Sequence, residues 1–201
     1  NIRRYRGMNA QPQASKPKSI YNFYDWEEVE PVYIDYINDT EHREHPGAEM
    51  NPKKLYVNTT GRNDFYLMKV ARDNENLYFY AETTENITEN NGNNWMRLFI
   101  NTDRNHETGW YGYNYRIEGG KQLQKYINNQ WKTISIISSE VGQKKLMYTI
   151  PASTIEIDTK ELNIEFKWSD NMQDDNDPMD WYLNGDSAPG GRFNYVYKTK
   201  Q

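Results

Sequence analysis

The run Asn101-Thr-Asp103-Arg-Asn105-His-Glu-Thr108-Gly109-Trp110 sets side-chain oxygens at alternate positions ahead of a glycine turn. Oxygens on that spacing, from Asn101, Asp103 and Asn105, can converge on a hard cation such as calcium, which takes roughly six to eight of them. The twelfth position counted from Asn101 is Gly112, where an EF-hand requires a bidentate Glu, so the loop is not of that kind. The same residue types also build an Asx-rich hairpin loop that bonds its own backbone. Both readings stand at this point.

A second acidic stretch, Ser169 to Asp180, carries five Asp in twelve residues. Such charges repel unless solvent, a cation or a basic partner relieves them. Trp168 and Trp181 flank this stretch, and Trp95 and Trp110 also adjoin loops. Flat rings can cover the C–H patches of a sugar while amides and carboxylates bond its hydroxyls, the convergent polar groups of a ligand site. At least two of these four tryptophans are expected to cap the core instead. Catalytic signatures are weak. His42 and His45 stand three apart and run into Pro46-Gly47, which is not the helical spacing of a zinc site. Neither a G-x-S-x-G elbow nor a phosphate-binding glycine loop occurs. Acidic residues are plentiful, but plenty does not establish the paired carboxylates of a glycosidase. No catalytic residue is assigned.

The elements that must hold these residues are strands. Alternating patterns cover 65–71 and 77–81, with the polar turn 72–76 between them, and this predicts a hairpin. Further strands are expected at 95–100, 112–117, 123–127, 131–137, 145–150, 162–168 and 193–197. Pro151 to Ile155 suits one helical turn. Strands at short intervals separated by turn clusters predict an all-β, two-sheet antiparallel sandwich with little helix. The long polar insertions 38–64, 101–111 and 169–192 are expected to carry function.

Composition agrees. The 201 residues amount to one domain, with residues 1–19 read as a basic linker or cut end and 20–201 as the sandwich. Leu, Ile, Val and Phe together make only about 17% of the chain, a level that would suggest disorder. The 17 Tyr, 6 Trp and 6 Phe overturn that suggestion, because rings bury large areas and favour strands. Cysteine is absent, which excludes disulfides and thiolate sites. The net charge of −5 opposes general nucleic-acid binding, and no apolar run is long enough for a membrane-spanning helix.

The series Thr60-Gly-Arg-Asn-Asp64, Lys69-Val-Ala-Arg-Asp73 and Asn76-Leu-Tyr-Phe-Tyr-Ala-Glu-Thr83 resembles the opening of DOMON-like domains related to family 9 carbohydrate-binding modules. The segments 94–103 and 108–115 resemble their central strand, loop and strand. Phe166 to Asn171 and Asn184 to Tyr195 are similar to the closing segment of a Bacteroidetes subgroup carried at the C-terminus of glycoside hydrolases. The resemblance spans about residues 20–198. It implies sugar binding between aromatic residues in a jelly-roll-like sandwich. Trp181 falls near the second aromatic face, and Arg116, Asn171 and Asp170 fall at polar positions. Trp95 lies at the start of the central strand, and Trp110 adjoins the central loop. Arg97 stands where the sugar-binding members have Glu. Asp103 and Asn105 match a cation-like loop, which implies structural calcium.

The expectation is therefore a non-catalytic carbohydrate-binding accessory domain taking a polysaccharide or oligosaccharide, with an upstream catalytic domain in the same chain. Its setting would be exported, periplasmic or at the cell surface. The alternative is a calcium-stabilised domain packing on a catalytic domain without its own sugar site.

Overall fold

The computed structural model describes residues 13–40, 42–46, 55–92 and 94–199. Fourteen strands occur among them: β1 (Val32–Ile34), β2 (Arg43–Pro46), β3 (Leu55–Asn58), β4 (Phe65–Arg72), β5 (Asn76–Thr83), β6 (Arg97–Asn101), β7 (Tyr115–Glu118), β8 (Gln122–Ile127), β9 (Gln130–Ile136), β10 (Ser138–Val141), β11 (Lys145–Pro151), β12 (Asn163–Asp170), β13 (Asp186–Ala188) and β14 (Tyr195–Lys198). Two 3-10 turns (Phe23–Trp26 and Ala152–Ile155) and one short helix, α1 (Asp180–Leu183), complete the set. The protein is an all-β sandwich.

A five-stranded sheet in the order β1-β4-β5-β11-β10 faces a seven-stranded sheet in the order β13-β12-β6-β7-β8-β9, with β14 also paired to β12. All the pairings are antiparallel. The strands β2 and β3 form a separate hairpin. The chain passes from the rim of the large sheet to the rim of the small one almost without a turn. β9 ends at Ile136, the buried Ile137 intervenes, and β10 starts at Ser138.

Period-two alternation sends one set of side chains between the sheets. Leu77, Phe79 and Ala81 of β5 meet Leu98 and Ile100 of β6, Ile117 of β7, Tyr148 and Ile150 of β11, and Phe166 and Trp168 of β12. The opposite faces are covered as well. Tyr78, Tyr80 and Met147 on the outside of the small sheet lie under Ile20, Trp26 and Val29. On the outside of the large sheet, Phe99 lies under Trp110, Tyr113, Met172 and Trp181. Three apolar layers explain the composition: rings fill spaces for which aliphatic side chains are too few.

The chain joins this fold before residue 20. Ala14 packs on the central core, the Ser15 amide donates to the Glu30 carbonyl at 3.0 Å, and the Lys18 amide donates to the Arg72 carbonyl at 2.8 Å. Ala14, Ser15 and Lys18 are thus attached to the sandwich. Residues 1–12 lie outside the described residues. The turn at 152–155 forms as expected, with Pro151 as its cap rather than its first residue.

Candidate functional site

Alternation on the large sheet turns Arg97, Phe99 and Asn101 of β6 outward, beside Arg116 and Glu118 of β7 and Glu165 and Lys167 of β12. Six outward polar side chains on one face could not be buried without partners. Two loops, residues 102–114 and 171–185, fold over the face and supply Arg104, His106 and Asp175 as partners, while other bonds run within the face or to Asn94, Gln124 and Pro189.

The apolar half is a ring cluster. Trp181 meets Phe99, Trp110 and Tyr113 edge to face, with centroids 5.3, 5.4 and 5.6 Å apart. Phe99 stacks on Trp110 at 5.6 Å. Tyr126 and Trp131, from β8 and β9, pack on the margin of the cluster and are half-buried. The Lys167 ammonium lies 5.0 Å from the Trp181 ring centroid and donates to the Pro189 carbonyl.

The charged half is built on two guanidiniums. Arg97 donates through Nε to Glu118 at 2.5 Å, and through Nη1 and Nη2 to the two carboxylate oxygens of Asp175 at 2.5 and 3.1 Å. Arg116 donates through Nε to Gln124 at 2.7 Å and through Nη1 to Asp175 at 3.4 Å, and its guanidinium carbon lies 4.7 Å from the Trp131 ring centroid. Burial, followed by repulsion from Arg97, pushes Arg116 down to about 10. Burial acts the same way on Arg97 but is outweighed by its bonds to Asp175 and Glu118, so its pKa is raised. Burial would raise Asp175; the Arg97 guanidinium wins, and its carboxyl is held below the ordinary value. The side chains of Arg97 and Glu118 are almost fully enclosed, whereas that of Asp175 is 43% exposed. Asp175 is therefore the solvent-side closure of this network.

The residues expected to bind a ligand fall in different places. Arg116 lies in the charged half just described. Trp110 and Trp181 are together on this face, yet both are buried and offer no open ring to a sugar. Trp95 and Trp168 are inside the central core. The Trp95 indole donates to the Thr88 carbonyl at 2.9 Å, and Trp168 stacks on Tyr148 at 5.3 Å. Asp170 is fully buried, bonded to Arg62 at 2.7 Å and to the Met96 amide at 2.8 Å. Asn171 takes a left-handed backbone (φ 56) and donates to the Thr60 carbonyl at 2.7 Å. These two hold loops together.

The loop at 101–110 spends its oxygens on its own donors. Asn101 Oδ1 accepts from the Arg104 amide at 2.7 Å, and Asn105 Oδ1 accepts from the Glu107 amide at 3.0 Å. Asp103 accepts from the Asn105 amide at 2.9 Å and from the Thr108 hydroxyl at 2.8 Å. The set serves donors of the loop itself. It fits the Asx-bonded hairpin loop.

Trp131, Gln124 and Asp175 had no individual signal in the sequence. Trp131 shares its strand with Ile134 and Ile136, and Asp175 is one of five similar acids; the register of β7, β8 and β9 brings Gln124 and Trp131 to Arg116, and the loop 171–185 brings Asp175. Among the described residues no helix is long and apolar enough to cross a membrane. Comparison of the chain with protein-family profiles, curated proteins and solved structures returns no match.

Proposed function

We propose that the chain is a non-catalytic carbohydrate-binding accessory domain of an exported glycoside hydrolase, taking a polysaccharide or oligosaccharide where the ring cluster meets the twin-arginine network. The observation that carries this reading is the convergence of an aromatic ring, an amide, a guanidinium and a half-exposed carboxylate at Trp131, Gln124, Arg116 and Asp175. That mixture suits a sugar, whose apolar C–H face and hydroxyl edge need both kinds of contact. The indole nitrogens of Trp131 and Trp181 add two buried donors without hydrogen-bond partners, and unsatisfied buried donors in a native fold call for an explanation. Calorimetry against a broad polysaccharide panel tests the reading. Trp131→Ala or Gln124→Ala should weaken binding about tenfold or more, the equivalent of about 1.4 kcal/mol. Failure of every glycan to bind at millimolar concentration would overturn it.

A second reading is favoured by the burial of Trp110 and Trp181. The domain would then pack on a catalytic domain without a sugar site of its own. Loss of stability in the catalytic domain on removal of this one, with no glycan bound by either form of the sandwich, would support that role.

A further inference from the structure

Away from the ring-and-arginine face, four acids that are distant in sequence come together. Asp35 and Asp39 follow β1, Asp64 leads into β4, and Asp186 opens β13. One carboxylate oxygen each from Asp39, Asp64 and Asp186 lies within 4.8 Å of the others. Two oxygens bound to one calcium at ~2.4 Å can be separated by at most ~4.8 Å, so the spacing is that of atoms sharing an ion.

A second observation points into the same place. Asp64 is 7% exposed; its Oδ2 accepts from the Asn38 amide at 2.9 Å and from the Thr84 hydroxyl at 2.8 Å, while its Oδ1 is buried with no hydrogen-bond partner. Asp35 Oδ2 is likewise buried and unpartnered. A carboxyl oxygen removed from water and given no donor is a costly arrangement. Among the described residues, the nearby cations Arg62 and Lys167 have bonds elsewhere. Arg62 is bonded to Asp170, and Lys167, whose charge does reach Asp35 and Asp186, donates to the Pro189 carbonyl.

The backbone is shaped to present the group. Gly185 has φ +58, and a Cβ there would lie 1.9 Å from the Asp170 carbonyl oxygen; only glycine lets the chain cross β12 so closely before Asp186. Asp186 then accepts from the Phe65 amide at 2.8 Å, which ties β13 to the start of β4.

We propose that Asp39, Asp64 and Asp186 hold a hard divalent cation, calcium in preference to magnesium, that fastens the edge of the large sheet to the β1–β4 side of the small one. The ligands come from three separate segments of both sheets. Calcium tolerates such an irregular set, whereas magnesium demands a near-ideal octahedron with shorter bonds. The site is separate from the Asn101–Asn105 loop.

Thermal unfolding of the chelator-treated protein, with calcium or magnesium added back, tests the proposal alongside terbium luminescence excited through tryptophan. Calcium a hundredfold above its Kd multiplies the folded-to-unfolded ratio about 100-fold, a rise in Tm of about 5–10 °C for a domain of this size. Asp64→Asn keeps an acceptor for Asn38 and Thr84 but removes the charge. This variant should lose the calcium shift and the terbium signal, and should be no less stable than wild type in chelator. Asp186→Asn keeps an acceptor for Phe65 and should behave alike, which guards against a folding defect in either variant. Asp103→Asn should retain the full shift. Several outcomes would overturn the proposal: a Tm indifferent to calcium up to about 10 mM, beyond the range of extracellular calcium modules; a magnesium shift equal to that of calcium; a shift that survives both Asp64→Asn and Asp186→Asn; or a shift abolished by Asp103→Asn.

Discussion

Replacing Arg97 with Met keeps most of the stem volume and deletes the guanidinium. Glu118 would then lose the bond from Arg97 Nε, and Asp175 would lose both of its short bonds. The two acids do not suffer equally. Glu118 is 4% exposed and retains only the Asn94 amide at 2.8 Å, its neighbour Gly119 at 3.1 Å and a longer contact with Arg116 at 3.4 Å. Breaking a buried pair by removing one partner costs ~3–5 kcal/mol; the surviving donors place Arg97→Met at the lower end, about 3 kcal/mol. Asp175→Ala removes the other anion from the same guanidinium, but Asp175 is 43% exposed on its side chain. Solvent reaches that side of the pair, so about 1 kcal/mol is expected. In Tm these become drops of about 6–12 °C and about 2–4 °C. Urea titrations of both single variants and the double variant measure the difference directly. Equal costs for the two substitutions, or an Arg97→Met cost under about 0.5 kcal/mol, would refute the claim that Glu118 is buried and Asp175 is the outer closure.

Trp181→Ala should cost about 3–5 kcal/mol in denaturant, because the ring touches Phe99, Trp110 and Tyr113 at once; a loss under about 1 kcal/mol would show the ring is not packed as described. Glycan binding lost in that variant would report unfolding rather than a missing contact, so Trp131→Ala is the informative substitution. Asp73 governs part of the acid limb. Partial burial works against its ionisation, but bonds from the Tyr78 hydroxyl, the Glu75 and Asn76 amides and the Ser19 hydroxyl hold it at about 2, below its ordinary 3.8. A depressed carboxyl contributes its stability above 3.8 and loses it as pH falls through about 2. Wild type should therefore lose more stability than Asp73→Asn across that window in matched acid titrations, and parallel curves would count against the assignment.

The strands that could be read from the sequence were those with one wet and one dry face, or with enough consecutive apolar residues. The β4–β5 hairpin is the clearest, since its polar turn interrupts two apolar runs and each strand extends only slightly past the expected limits. Strand β10, Ser138–Val141, is exposed along its whole length and has no apolar alternation to betray it. β13 and α1 are three and four residues long, shorter than any period that would mark them. The tryptophans illustrate a different limit. A ring beside a polar loop reads the same whether the loop is open or folded back across a sheet, and here loops 102–114 and 171–185 fold back. Arg116 was legible only through resemblance, and its partners Gln124 and Trp131 depend on strand register. The Asp39, Asp64 and Asp186 group could not be read at all, because its members are joined by sheet topology and no local spacing connects them.

The passage from β9 to β10 through Ile137 has a colloidal consequence. A sandwich has rims along which unpaired amides could recruit a strand from another copy. On this side both rims are one nearly continuous stretch of chain that bends from one sheet into the other. An invading strand would have to follow the bend, past the exposed Ile134, Ile136 and Val141 as well as Lys132, Thr133, Ser138 and Glu140. The bend thus denies a templating strand a straight rim on this flank, which matters where exposed Ile134, Ile136 and Val141 would otherwise favour pairing.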